Sequence, residues 1–214
     1  MLIKDLNQYI KEPKGVIHVG ANDGGERDWY VDNGFSPVIW FEPNPEVFIK
    51  LYSNLKYPKY DNQYCYNYGI HDTLTKTVLH VANNEGQSSS ILPLGLHKQY
   101  HPKVKYIKDM KISLSRLDAF FNIGTYNVND FNFLNIDVQG CELNVIRSFG
   151  QDITKMDYIY TEVNTAEVYE GCSLLNDIDL YLNSFGFIRV KTHMTKNRWG
   201  DAFYVKHSIY ETQF

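Results

Sequence analysis

Three things are scarce in this sequence: cysteine, excess charge of either sign, and long apolar runs. The 214 residues include only Cys65, Cys141 and Cys172, an odd number without Cys-x-x-Cys spacing. This pattern argues against a disulfide framework or a zinc site and predicts reduced thiols in a cytoplasmic compartment. No run reaches the length of a membrane span, and residues 1–15 lack the apolar core of a signal peptide. We therefore expect a soluble protein without membrane insertion.

The net charge is small and acidic, at −4 with histidine neutral. Binding to nucleic-acid phosphates needs a basic face, so we expect no nucleic-acid partner. Hydrophobic residues make up 43% and charged residues 21%, which is an ordinary globular balance. A chain of this length can bury the core of one domain, predicted to span residues 1–214.

Residues 16–45 contain the most informative pattern. An apolar run ends in a glycine-rich turn, and a second apolar run ends in Glu42, 22 positions after Gly20. In a doubly wound sheet such a turn brings backbone N–H groups close to a ligand, and the acid accepts hydrogen bonds from ribose hydroxyls. Gly20, Gly24 and Gly25 do not form the GxGxxG spacing that suits a pyrophosphate. The pattern therefore favours a nucleoside without phosphates over a dinucleotide.

Short apolar segments typical of strands alternate along the chain with segments of helical periodicity. This order predicts an α/β fold, with a mostly parallel central sheet and helices on both faces. The predicted strands cover residues 16–20, 38–42, 64–70, 77–82, 110–114, 131–137, 158–163, 187–192 and 202–206. The predicted helices cover residues 2–11, 26–33, 46–55, 115–121 (or from 118), 141–149 and 174–184. The two closing strands are expected to form an antiparallel hairpin at the sheet edge. Residues 83–108 carry few periodic signals and are predicted to be an irregular substrate-binding or lid region.

Three motifs follow one another along the chain: HVGANDGGE at 18–26, FEPNP at 41–45 and NIDVQGCELNVIRS at 135–148. Together they resemble the FkbM family of S-adenosylmethionine-dependent O-methyltransferases, over roughly residues 15 to 206. The resemblance implies a Rossmann-like class I methyltransferase fold with an antiparallel final strand, and S-adenosylmethionine as cofactor. One position departs from the family pattern, because Gln139 stands where many members have glutamate.

Polar residues at the predicted strand ends are the candidates for holding that cofactor, since ligands lie at the carboxyl ends of parallel strands. Residues 21–23 are expected to reach its amino-acid end, Glu42 its ribose, and Asp72 its adenine amino group. A plain turn residue is the alternative interpretation of Asp72. His18 lies within the first motif and is expected to pack or hydrogen-bond there. The predicted cofactor-binding set is His18, Gly20, Ala21, Asn22, Asp23, Glu42, Asp72 and Asp137.

Two carboxylates, Asp137 and Glu162, end strands that should be neighbours, with Asn164 close by. Such oxygen ligands suit a divalent ion, Mg²⁺ or Mn²⁺, which would activate an acceptor hydroxyl. The alternative is structural: Asp137 caps the following helix and Glu162 pairs with a cation. Gln139 supplies one negative charge fewer than the family pattern, which weakens the metal hypothesis slightly.

Acceptor chemistry is predicted from hydroxyl, imidazole and aromatic residues. His193 is the candidate general base, alongside Asp137 and Glu162 as catalytic residues, although no spacing rule selects it over His97 or His101. The predicted substrate-binding residues are Ser88, Ser89, Ser90 and Asp201. Tyrosines in loops favour a sugar acceptor, in a glycan or a glycosylated metabolite.

Two other functions remain open at this point. One is an NAD(P)-dependent oxidoreductase on the same type of sheet, which the incomplete glycine fingerprint and the lack of a recognisable Tyr and Lys pair disfavour. The other is an inactive binding module that kept the fold. A homo-oligomer or an association with glycosyltransferases is a further expectation.

Overall fold

The computed structural model describes residues 3–213 and contains a seven-stranded sheet with helices on both faces. Its strands, in spatial order, are β3 (Gln63–Tyr66), β2 (Val38–Phe41), β1 (Gly15–Val19), β7 (Phe131–Ile136), β8 (Tyr158–Asn164), β10 (Trp199–Lys206) and β9 (Phe187–Met194). The strands β3, β2, β1, β7 and β8 are parallel neighbours, and β10 is antiparallel to β8 and β9. The strand order reverses between β1 and β7, which is where open α/β sheets bind ligands. The predicted fold class and the closing antiparallel hairpin are confirmed.

Seven α-helices accompany the strands in the described part of the chain. They are α1 (Arg27–Asp32), α2 (Pro45–Asn54), α3 (His97–Tyr100), α4 (Leu117–Asn122), α5 (Glu142–Ser148), α6 (Leu175–Ser184) and α7 (His207–Gln213). The start of α2 shows how local sequence fixes a boundary. The Asn44 side chain accepts a hydrogen bond from the N–H of Glu46, and Pro45 occupies the first helical position, where a missing N–H costs nothing.

The period-2 alternation of the central strands supplies two cores, one on each face of the sheet. In β1, Ile17 and Val19 face a core that includes α4, α5 and α6, whereas Val16 faces the core under α1 and α2. All five residues of β1 are buried, as expected for a parallel strand covered on both faces. This packing fixes the strand ends, and therefore the site, on a rigid base.

A second sheet of three strands lies beside the first. Its order is β4 (Gly69–Ile70), β6 (Tyr106–Ser115) and β5 (Thr75–Ala82), with β5 antiparallel to β6. The strand predicted over residues 64–70 is therefore wrong in one respect, because it divides between the two sheets. The cause lies in β2, the neighbour of β3, because Pro43 follows β2 and has no N–H to continue the hydrogen-bond ladder. Beyond this point the side-chain amide of Asn67 donates to the carbonyl of Glu42 at 2.9 Å.

Other boundaries also differ from the prediction. The helix predicted over residues 2–11 is only a 3₁₀ turn at Ile3–Leu6, because a short segment before Pro13 gains too few backbone bonds to continue; Leu2 lies outside the described residues. The irregular region holds the single helical turn α3 and the start of β6. Helix α7 was not predicted from the sequence. Across residues 3–213, no helix combines the length and apolar character that crossing a membrane requires.

Candidate functional site

The turn after β1 requires glycine at its first position. Gly20 has φ +84°, and a Cβ there would lie 1.7 Å from the carbonyl oxygen of Asp137 at the end of β7. The N–H groups of Gly20 and Ala21 both donate to the carbonyl of Phe41, each at 3.0 Å. The ends of three adjacent strands therefore meet at van der Waals distance around this residue.

Glu42 is fixed at the end of β2 by two backbone donors. Its carboxylate accepts hydrogen bonds from the N–H of Asn22 at 2.9 Å and of Asn44 at 2.8 Å. The side chain is 7% exposed, and burial raises its pKa to about 7 against the lowering effect of the two N–H groups. The nearby charge of Asp137 raises the pKa further.

A cavity of about 530 Å³, called here the main cavity, opens at these strand ends. Its volume falls in the range of roughly 300–1,000 Å³ that is typical of small-molecule sites. Gly20, Glu42 and Asn44 line it at the strand ends, and residues 86–91 of the irregular region line it as well. The irregular region predicted to bind substrate therefore forms one wall of this cavity. The remaining wall includes His97, His101, Tyr169 and Trp199.

A smaller cavity of about 210 Å³, the acidic cavity, adjoins the turn after β1. Gly20, Asn22, Asp137 and Glu162 line both cavities, so the two spaces meet there. The acids that line the acidic cavity are Asp23, Glu26, Asp137, Glu162 and Asp201. No Lys or Arg of residues 3–213 lines either cavity, so neither offers such a side chain to a phosphate, and the acidic cavity favours a cation.

Asp137 and Glu162 lie on either side of one amide group. The Gln139 side-chain nitrogen donates to Asp137 Oδ1, and to Glu162 Oε2 at 2.9 Å. Burial raises the pKa of Asp137 to about 6, and the charge of Asp201 adds to the rise. The hydrogen bond from Gln139 acts in the opposite direction. Burial raises the pKa of Glu162 well above its ordinary value, and the charges of Asp137 and Glu142 add to this effect.

The predicted metal ligands do not fit a divalent ion in this arrangement. An amide N–H is a donor, not a ligand, and here it points at both carboxylates. Asn164 is buried in β8 and lines neither cavity in the structure of residues 3–213. Over the same range, no three His, Cys, Asp or Glu side chains are grouped so that they could hold a metal ion.

The three predicted serines line the main cavity. Ser88 Oγ accepts from the Asn84 amide at 2.9 Å and lies 3.2 Å from His97 Nε2. Ser89 Oγ accepts from the N–H of Ala82 at 3.0 Å. Ser90 Oγ donates to the carbonyl oxygen of Gln139 at 2.7 Å, which joins the irregular region to the turn after β7.

Three other predicted residues lie away from the main cavity. His18 is buried, with Nδ1 3.0 Å from the hydroxyl of Tyr30, and burial lowers its pKa to about 3. It lines the acidic cavity as a neutral ring. Asp72 accepts from the Asn144 amide at 3.1 Å, and His193 is exposed on β9; in the described chain neither lines a cavity. The predicted roles of Asp72 and His193 therefore stay predictions without geometric support.

A family model for the methyltransferase FkbM domain matches residues 18–189. The chain belongs to the FkbM methyltransferase family. This confirms the resemblance that three motifs in the sequence indicated.

Curated proteins include one relative with a named activity. The 2-O-methyltransferase NoeI of Sinorhizobium fredii is 25% identical over 193 residues, which cover 86% of this chain and 78% of that protein.

Solved structures share the fold of this FkbM chain. TrmK of M. capricolum, in complex with S-adenosyl-homocysteine, has a TM-score of 0.54 at 12% identity and covers 97% of this chain and 69% of its own. Sp1610 of Streptococcus pneumoniae, in complex with S-adenosyl-L-methionine, has a TM-score of 0.52 at 12% identity, with 96% and 73% covered. At this identity the likeness establishes a Rossmann-like methyltransferase fold and nothing finer.

Sequence reasoning missed several residues of the FkbM site. No pattern in the sequence distinguishes Tyr169 from the other loop tyrosines, and none selects Trp199, Glu26 or Tyr160 as site residues. All four line a cavity. Gln139 was noted as a departure from the family pattern, but its bridging role depends on a side-chain orientation that spacing does not reveal. Glu26 carried a usable signal, because it closes the first motif.

Proposed function

We propose that this chain is an S-adenosylmethionine-dependent O-methyltransferase that acts on a hydroxyl of a sugar, in a glycan or a glycosylated metabolite. The observation that carries the proposal is Glu42, a buried acid that is fixed by two backbone N–H groups and lines a cavity without Lys or Arg among residues 3–213. A ligand with ribose hydroxyls and a positive charge suits such a cavity. A dinucleotide with two phosphates does not.

The two cavities divide the cofactor between them. The adenosine part fits the main cavity, with its ribose at Glu42. The amino-acid end fits the acidic cavity, where the carboxylates of Asp23, Glu26 and Asp201 attract its ammonium group. The sulfonium then lies near Asp137, which lines both cavities. Burial raises the pKa of Glu26, and the charges of Asp137 and Asp23 add to the rise, so a bound cation would relieve the repulsion around this carboxyl.

The far wall of the main cavity supports a sugar acceptor. Trp199 offers a half-buried aromatic ring, and Ser88, Asn84 and His97 line the same cavity with small hydrogen-bonding groups. Aromatic rings that pack against sugar faces, with amides and hydroxyls at the edge, form a general arrangement for neutral polar ligands. The relative named as a 2-O-methyltransferase supports transfer to oxygen.

The chemistry requires a positioned hydroxyl and a proton acceptor. When bound, the cofactor supplies a methyl group activated by a sulfonium. Asp137 lies where the cavities meet, and its pKa of about 6 makes it an effective base near neutral pH. The Asp137 carboxylate would accept the proton of the acceptor hydroxyl as that oxygen takes up the methyl group. Gln139 holds that carboxylate in place.

Calorimetry tests the cofactor first. S-adenosylhomocysteine should bind the purified chain, and NADH should not; binding of NADH alone would favour the oxidoreductase hypothesis. Mass spectrometry of a glycan panel incubated with a labelled methyl donor then tests the acceptor. Label on a sugar hydroxyl is the expected result, and label only on a nitrogen-containing acceptor would contradict O-methylation.

A further inference from the structure

Gln139 is held from three sides. Its amide nitrogen donates to Asp137 and Glu162, and its amide oxygen accepts from the hydroxyl of Tyr169 at 2.6 Å. Its own carbonyl oxygen accepts from Ser90 Oγ at 2.7 Å. The residue has φ +55°, a left-handed conformation that glutamine adopts only where its surroundings impose it. Every polar group of the side chain therefore has a partner within the site.

The orientation of the Gln139 amide matches its neighbours, with its oxygen at the Tyr169 hydroxyl and its nitrogen at the two acids. Tyr169 is 1% exposed, so its hydroxyl cannot exchange this partner for bulk water. With the hydroxyl donating to the amide oxygen, the amide nitrogen must face Asp137 and Glu162, where its two hydrogens meet one carboxylate each. The NH₂ group contacts both carboxyls, and Glu162 also hydrogen-bonds Asp137 directly, so the position that a divalent ion would need is already taken by hydrogen-bond donors.

We propose that Gln139 is the positioning residue of this carboxylate pair, and that its amide, not a divalent cation, bridges Asp137 and Glu162. Two carboxylates at neighbouring strand ends repel each other and require a donor between them. A metal ion is one solution, and the amide is another that needs no cation. The site therefore operates without a metal, in contrast to the Mg²⁺ or Mn²⁺ expected from the sequence.

This inference deepens the proposed function by assigning how its carboxylates are held, but its test is a binding measurement that needs no turnover. Electron paramagnetic resonance of Mn²⁺ reports free and bound ion directly. Wild type and Asp137→Asn should therefore show the same Mn²⁺ binding, because the carboxylate pair of wild type holds no ion. Gln139→Glu replaces the amide by an oxygen donor of the same shape and should bind Mn²⁺ at least ~10-fold more tightly than wild type, a difference of about 1.4 kcal/mol.

Gln87→Glu is the matched control. Gln87 also lines the main cavity but is exposed, so this variant adds the same charge without altering the bridge. It should bind Mn²⁺ no better than wild type. Wild-type binding that disappears in Asp137→Asn would overturn the proposal, as would a folded Gln139→Glu without any gain. If Gln139→Glu does not fold, the wild-type and Asp137→Asn comparison still decides. If the chain showed no methyl-transfer activity, the Mn²⁺-binding results would still test the role of Gln139, so the two failures can be told apart.

Discussion

The carboxylate of Glu42 accepts a hydrogen bond from the backbone N–H of Asn22 at 2.9 Å, which joins the end of β2 to the turn after β1. Asn22 has φ +47°, so its backbone is held in the left-handed region while its N–H points at the acid. The same carboxylate reaches Asn44 on its other side. One acidic side chain therefore organises the two loops that border the main cavity.

Removal of this acid should weaken the cofactor more than it weakens the fold. In Glu42→Ala, the two N–H groups lose their acceptor and the ribose loses its partner. We expect S-adenosylhomocysteine to bind at least ~10-fold more weakly, which corresponds to about 1.4 kcal/mol. Isothermal titration calorimetry measures this difference. Glu46→Ala, in the first turn of α2 and paired with Lys108 at the surface, should bind like wild type. Equal affinities for both variants would contradict the role of Glu42.

Gly20 and Gly25 offer a matched test of the turn after β1. A Cβ at Gly20 would lie 1.7 Å from the Asp137 carbonyl oxygen, in a backbone with positive φ. A Cβ at Gly25 would meet only Asp23 Oδ1, at 4.0 Å. Gly20→Ala should therefore lower the free energy of unfolding by more than ~3 kcal/mol, and Gly25→Ala by less than ~1 kcal/mol. Urea unfolding measures both. Similar losses in the two variants would mean that the strand ends are not in contact at Gly20.

The features found from the sequence are those that a short stretch of chain determines. The strand that ends at Val19, the glycine turn and Glu42 lie within 30 residues, and strand pairing places them together whatever the rest of the chain does. The fold class follows in the same way from the alternation of apolar segments.

The features missed depend on packing between distant segments. β5 and β6 pair across the irregular region, and β4 leaves the main sheet because Pro43 ends the ladder of its neighbour. Tyr169 reaches Gln139 from 30 residues further along the chain. Among the histidines, only tertiary structure shows that His97 lines the main cavity and that His193 is exposed. Hydrophobic periodicity carries no information about such contacts between residues that are distant in sequence.

Glu142 should make stability depend on pH. Its side chain is fully buried, and burial raises its pKa to about 7; the N–H groups of Gly140 and Val138 oppose the rise, and the charge of Asp137 adds to it. A carboxyl whose pKa is higher in the folded state than in the unfolded state stabilises the fold while it is protonated. This contribution is fully present below pH ~4.5 and is lost as the pH rises through about 7.

Glu142→Gln removes the charge and keeps an oxygen for the two N–H donors. Relative to wild type, its free energy of unfolding should be greater at pH 8 than at pH 5 by about 2–3 kcal/mol. Urea unfolding at the two pH values measures this difference. Glu170→Gln, an exposed acid near Lys98, should show no such dependence. A gain of equal size at both pH values would indicate that Glu142 is not the titrating group.

Trp199 should affect the acceptor and leave the cofactor unchanged. It begins β10, opposite Asn164, and lines the main cavity, where its half-buried ring packs against the cluster around Tyr169. Trp199→Ala should lower kcat/KM for the glycan identified by the panel about tenfold, chiefly through KM, with the Kd of S-adenosylhomocysteine unchanged. Trp199→Phe keeps an aromatic face and should recover most of this loss, because stacking on a sugar needs the ring more than the indole N–H. If Trp199→Ala instead weakened both ligands equally, the ring would be a structural support for the whole cavity, and the acceptor would have to bind along residues 86–91.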